Sequence, residues 1–174
     1  MTDRTKTLEG AAAIQADLWG ERARDWADVL EGWNGWGVPL YRHVLERVPA
    51  ASGTSVIDIG CGAGRFCRMA ADRGMRVAGI DATGPLIEIA RERVPDGDFR
   101  VGDMEELPWE DDSFDVVTGF NSFFIAADMV HALSEARRVA RPGASVADRL
   151  RATGAMPVHG GIQVAAAVRG PAIQ

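Results

Sequence analysis

The stretch VIDIGCGAGRF, residues 56–66, decides how the rest of the chain is read. Apolar and β-branched residues run to Asp58 and Ile59, and glycines follow at 60, 62 and 64, broken only by Cys61 and Ala63. A short apolar run ending in glycines reads as a buried strand passing into a turn. Glycine permits a sharp turn and lets another group lie close to the main chain. The helix expected behind the turn adds free N–H groups at the same place. A plain strand-to-helix turn would use glycine too, so the loop needs a partner. Asp81 supplies one at the end of MRVAGI (75–80), 21 residues beyond Gly60. A carboxylate there can accept hydrogen bonds from both hydroxyls of a ribose. Its plainer role would be to cap a helix or a turn.

Working outward, strands alternate with helices. TSVIDI (54–59), MRVAGI, DFRVG (98–102) and FDVVTGF (114–120) read as strands, the last apolar enough to be buried on both faces. Residues 64–73 read as a helix with Phe66, Met69 and Ala70 inward and Gly74 as its stop. Pro85 opens a helix carrying Leu86, Ile89 and Ala90. Val130, Leu133, Ala136 and Val139 form a further helical stripe, halted by Arg141-Pro142-Gly143. Such alternation predicts right-handed βαβ units, an α/β fold with a doubly wound, mostly parallel sheet. Ligands of these sheets bind beyond the carboxyl ends of the strands. Ahead of the sheet, Ile14, Leu18, Trp19, Trp26 and Leu30 suggest one helix. WNGWG (33–37) breaks it, and Val38, Tyr41, Val44, Leu45 and Val48 mark a second that ends at Pro49. The chain therefore divides into an N-terminal helical cap (1–50), an α/β core (51–147) and an atypical tail (148–174).

Composition narrows the function classes. The chain has 174 residues and a net charge of −6, so it offers no general basic face and no nucleic-acid partner is expected. The opening MTDRTKTLEG lacks the apolar centre of a signal peptide, and no run approaches the ~20 apolar residues of a membrane span. Cys61 and Cys67 fit neither a disulfide framework nor a zinc spacing; reduced thiols, a cytoplasmic setting and no metal are expected.

The spacing Gly-x-Gly-x-Gly places Arg65 where a dinucleotide loop has its third glycine or alanine. Tyr41 and Lys6, the single tyrosine and lysine, also form no Tyr-x-x-x-Lys pair. Both features argue against a nicotinamide-dependent oxidoreductase. VIDIGCGAGRF, VAGIDAT, VGDMEELPWEDDSFDVVTG and EARRVARPG, in that order and spacing over residues 54–144, resemble the class I S-adenosylmethionine-dependent methyltransferases. WGERARDWADV (19–29) is similar to the helix that covers the cofactor in small-molecule members. The resemblance implies a Rossmann-like sheet, S-adenosyl-L-methionine as cofactor and a small-molecule methyl acceptor. Asp58, Gly60, Cys61, Gly62 and Gly64 would hold the methionine part of the cofactor. Asp81 would take the ribose hydroxyls and Ala82 would lie by the adenine. Asp103 would bond the adenine amino group with Met104 beside the ring, and Phe120 and Asn121 would meet the amino-acid end. Trp26, Ser122 and Phe123 would face the acceptor. Met104 and Trp26 read equally well as core, and Asp103 as a turn cap. Asn121, Ser122, His131 and His43 are the candidates for a general base and none is convincing, so no catalytic base is assigned. Asp111, Asp112 and Ser113 read as the polar turn before the fourth strand.

The resemblance stops at Asp148. RPGASVA (141–147) opens a fifth strand, but DRLRATGAMPVHGGIQVAAAVRGPAIQ holds at most one more, GIQVAAAV, too little for the last hairpin of a seven-stranded sheet. Read one nucleotide later with GC-rich codons, the tail permits a string similar to the segment after strand five in the family. The expectation is a truncated or out-of-frame tail, a sheet lacking its last strands, and a choice between an active enzyme and a non-catalytic, cofactor-binding remnant.

Overall fold

The computed structural model describes residues 8–32, 35, 37–48 and 52–149. Its centre is a parallel sheet of β1 (Ser55–Ile59), β2 (Arg76–Asp81), β3 (Asp98–Val101), β4 (Phe114–Phe120) and β5 (Ala140–Arg149), in the order β3-β2-β1-β4-β5. All four pairings are parallel. β1 is buried at every position, as a central strand covered on both faces must be. The order reverses at β1, which has β2 on one side and β4 on the other, and this opens a crevice at their carboxyl ends.

Helices cover both faces. The cap comprises α1 (Gly10–Gly20), the short α2 (Ala23–Asp25), a π-helical turn (Trp26–Leu30) and α3 (Val38–Leu45). α4 (Arg65–Ala71) links β1 to β2, α5 (Gly84–Arg93) links β2 to β3, and α6 (Met129–Val139) precedes β5. The two-residue period of the strands sorts the core. Val56, Val77, Phe99 and Val116 pack with Leu40, Val44, Phe66, Cys67 and Ile87. Ile57, Ile59, Ile80 and Val117 pack with Ala132, Ala136 and Val139 on the opposite face. A third cluster seats the cap on α5, with Ala23 and Ala27 against Ala63, Leu86 and Ile89, and Trp19 and Trp26 alongside.

Local signals act as expected at several points. Gly74 takes φ +78° behind α4, and Pro85 lies in the first turn of α5. α6 is rotated from the expected stripe: Ala132, Ala136 and Val139 are buried, while Val130 is 71% exposed. Apolar residues surround so much of this helix that periodicity left its rotation open, and the alanines allow close approach to the sheet. In α1, Ile14 likewise faces outward, whereas Leu18, equally exposed, borders the crevice at the carboxyl ends of the strands. Arg141-Pro142-Gly143 follows the end of α6 and, as expected of 141–147, lies in a fifth strand, β5. Phe114 sits opposite Ala140 and Val116 opposite Ser145, so a bulge absorbs the extra residues, with Gly143 at φ +83°. β5 continues to Arg149, two residues past the expected limit, making it rather than β4 the edge among the described residues. Pro49, GIQVAAAV and the rest of the tail from 150 onward lie outside the described residues. None of the described helices is long and apolar enough to cross a membrane.

Candidate functional site

The loop after β1 is bare because its own neighbours require it. Gly60, Gly62 and Gly64 have φ values of +75°, +54° and +77°, the left-handed region that glycine tolerates. A Cβ on Gly60 would collide with Ser122 behind β4, and one on Gly62 with the carboxylate of Glu31 in the cap. A Cβ on Gly64 would lie 2.8 Å from that of Ala90 on α5. The three glycines thus let three separate elements close on one turn.

That turn floors a cavity of about 340 Å³ at the carboxyl ends of β1, β2 and β4. Of the sequence-predicted residues, Asp58, Gly60, Cys61, Gly62, Asp81, Ala82, Asp103, Met104, Phe120, Asn121, Ser122 and Trp26 all line it. Two do not. Gly64 sits behind the loop against α5. Phe123 is 1% exposed and packs in the core with Ile57 and Val117, because the short 3₁₀ turn Phe123–Ile125 points it inward; Phe124 faces the cavity instead. His131 and His43 are not among the walls.

The walls are acidic. Glu31, Asp58, Asp81, Asp103 and Glu105 contribute carboxylates, and among the described wall residues there is no Lys, Arg or His. Asp81 Oδ2 accepts the Gly62 N–H and Oδ1 the Thr83 N–H, each at 2.9 Å. Each oxygen keeps a further lone pair for a ligand. Burial pushes the Asp81 carboxyl above its ordinary range, against the pull of those N–H groups. Asp58 accepts the Thr118 hydroxyl at 2.8 Å, and burial raises its pKa to about 7. The Asp103 side chain caps its own turn through the Glu105 N–H, 2.9 Å away. Asn121 adopts φ +56° at the end of β4, a left-handed conformation tolerated by asparagine, and so turns the chain along the cavity wall. Ser122 Oγ is fully buried with no hydrogen-bond partner among the described residues. Burial also pushes the Cys61 thiol well above its usual range, so it stays protonated.

Glu31 was not legible in the sequence. It is 7% exposed and accepts the Trp26 indole N–H at 2.8 Å, the Ala63 N–H at 2.9 Å and the Arg65 N–H at 3.3 Å. Arg93, at the end of α5, pairs with it at 2.8 Å. An acid beside a glycine-rich break reads as a solvated turn residue, and the only trace of its role is the five-residue spacing from Trp26. Tyr41, in the apolar stripe of α3, packs its ring on Phe120 with centroids 4.7 Å apart and forms part of the wall.

A family model described as a methyltransferase domain matches residues 57–147. The chain is 34% identical to the malonyl-[acyl-carrier protein] O-methyltransferase of Serratia marcescens, over 67% of this chain and 48% of that protein. It is 32% identical to the 27-O-demethylrifamycin SV methyltransferase of Amycolatopsis mediterranei, over 82% of this chain and 56% of that one. The chain thus spans about half the length of the curated relatives it matches. Among solved structures, a Haemonchus contortus phosphoethanolamine N-methyltransferase superposes with a TM-score of 0.69 at 24% identity, over 81% of this chain and 35% of that one. The [4+2]-cyclase SpnF superposes with a TM-score of 0.68 at 23% identity, over 80% and 60%. Both show the fold.

Proposed function

The chain belongs to the methyltransferase domain family, and we propose that it transfers a methyl group from S-adenosyl-L-methionine to a small-molecule acceptor. The observation that carries this reading is Asp81. It ends β2 at the cavity, is held by two main-chain N–H groups and keeps further acceptor capacity on a residue that lines the cavity. The donor set fits the cofactor in three further respects. The acidic walls, with no Lys, Arg or His among their described residues, suit a sulfonium and an ammonium group. The orphaned Ser122 hydroxyl awaits a partner. The cavity is of the size that small-molecule sites have.

In this reading Asp81 takes the ribose hydroxyls, Asp103 and Met104 border the adenine with Ala82, and Asp58 with the loop 60–64 holds the methionine part. The bound cofactor supplies an electrophilic methyl group on a positive sulfur, open to in-line displacement by the acceptor. The chain contributes position and exclusion of water. Trp26, Trp19 and Leu30 of the cap, with Phe124 and Ile125, are among the apolar residues of the walls. No described wall residue is a histidine, so the reading assigns no base. A cytoplasmic setting belongs to it too, supported by Cys61 and Cys67 as free, buried thiols.

The test is calorimetry with S-adenosylhomocysteine and with NAD. Binding of the first alone is expected, and Asp81→Ala should weaken it by roughly 1–3 kcal/mol. Failure of both S-adenosylmethionine and its product to bind at millimolar concentration overturns the reading. A fold also shared with a cyclase does not fix the reaction. Methyl transfer to a panel of acceptors therefore separates an enzyme from a cofactor-binding remnant, which would bind without turnover.

A further inference from the structure

The N–H groups of Ala63 and Arg65 open the turn into α4, and in a nucleotide-binding loop such donors would meet a phosphate. Here they meet a carboxylate of the protein itself. Glu31 reaches across from the cap with Oε1 on the Ala63 N–H and Oε2 toward that of Arg65. The charge is answered by Arg93, whose guanidinium bonds Glu31 Oε2 and the Ala63 carbonyl at 2.8 Å and the Ala27 carbonyl at 2.9 Å. Cap, glycine loop and α5 therefore meet at one buried ion pair. Gly62 is bare at this spot because the Glu31 carboxylate lies against it.

Resting on the cofactor reading above, we propose that Glu31 is a specificity-determining residue of the pocket. Its carboxylate fills the seat that a ligand phosphate would need, so that the cavity accepts an adenosine carrying a cationic tail and refuses one carrying a pyrophosphate. Asp58 and Asp81, on the same walls, reinforce the refusal by like charge wherever they are ionised. The same bonds strap the Trp26 turn over the loop, since Trp26 donates to the oxygen that Ala63 also uses.

The test compares adenosine with ADP as calorimetric probes on wild type, Glu31→Gln and Glu31→Ala. Adenosine serves as the internal control for a folded pocket. Wild type is expected to bind ADP at least tenfold more weakly than adenosine. Glu31→Ala, which empties the seat, should narrow that ratio by about tenfold, and Glu31→Gln, which leaves an uncharged side chain in it, by less; both should keep adenosine affinity within about threefold. An unchanged ratio overturns the proposal. Loss of adenosine binding in both variants also overturns it, because Glu31 then serves folding alone. Absence of adenosine binding to wild type instead overturns the underlying cofactor reading.

Discussion

At the scale of single residues, the site is a set of carboxylates kept out of water. Burial raises Asp58, Asp81 and Glu31 above the ordinary carboxylate range. For Asp58 the folded value is about 7 against an ordinary 3.8. The folded state therefore holds a proton that the unfolded chain gives up, and stability from this residue is lost as pH rises from about 4 to about 7. A cation beside Asp58 reverses the preference by favouring the ionised form. The affinity for S-adenosylmethionine should accordingly rise between pH 6 and pH 8, and Asp58→Asn should flatten that rise while stabilising the unliganded protein at pH 8. Titration calorimetry across this range decides it. An unchanged slope in the variant would assign the titration to Glu31 or Asp81 instead. The acids at 81 and 103 were legible from their places at strand ends, and Asp58 through the family resemblance of its motif. Glu31 was not, because its partners in the glycine loop are main-chain groups more than thirty residues away and its cation, Arg93, lies farther still.

At the scale of elements, the glycine loop is a junction of three neighbours. Gly64 combines φ +77° with a close approach to Ala90, where α4 starts against α5. Gly64→Ala meets both obstacles at once and should cost roughly 1–3 kcal/mol of folding stability. A thermal or urea melt indistinguishable from wild type would contradict this. The sequence marks such a loop but not what lies on it: alternate glycines look the same whether a ligand or a neighbouring chain segment needs the space. The rotation of α6 and the bulged start of β5 were also illegible. Both depend on which of several apolar faces, or which register, the sheet accepts.

At the scale of the whole molecule, charge is divided between the two ends of the sheet. The carboxyl ends of the strands hold the raised acids. At the amino ends, Asp115 accepts the Ser55 N–H at 2.8 Å and hydroxyl at 2.7 Å, and pairs with Arg141 at 2.7 Å. These bonds hold its pKa down to about 2 and tie β1 and β4 to Arg141 of β5. This contribution is present above the ordinary value of 3.8 and is lost as pH falls through about 2. Asp115→Ala should lower stability at pH 7 by roughly 1–2 kcal/mol, discounted for partial exposure. It should leave the affinity for S-adenosylhomocysteine unchanged, since no ligand-facing wall includes it. A matching loss of affinity would show that the two ends are coupled.

By itself the sequence determined the alternation of strands and helices, the crevice at the end of β1 and most of the residues around it. These follow from local chemistry: apolar runs of strand length, glycines that permit positive φ, and acids placed where strands stop. Only the tertiary structure decided that Phe124 rather than Phe123 faces the cavity and that α6 buries its alanines. It alone brought Glu31 and Arg93 to the glycine loop from opposite sides. Those outcomes rest on contacts between residues far apart in the chain, where a buried charge must find its partners in space and no local pattern says which they will be.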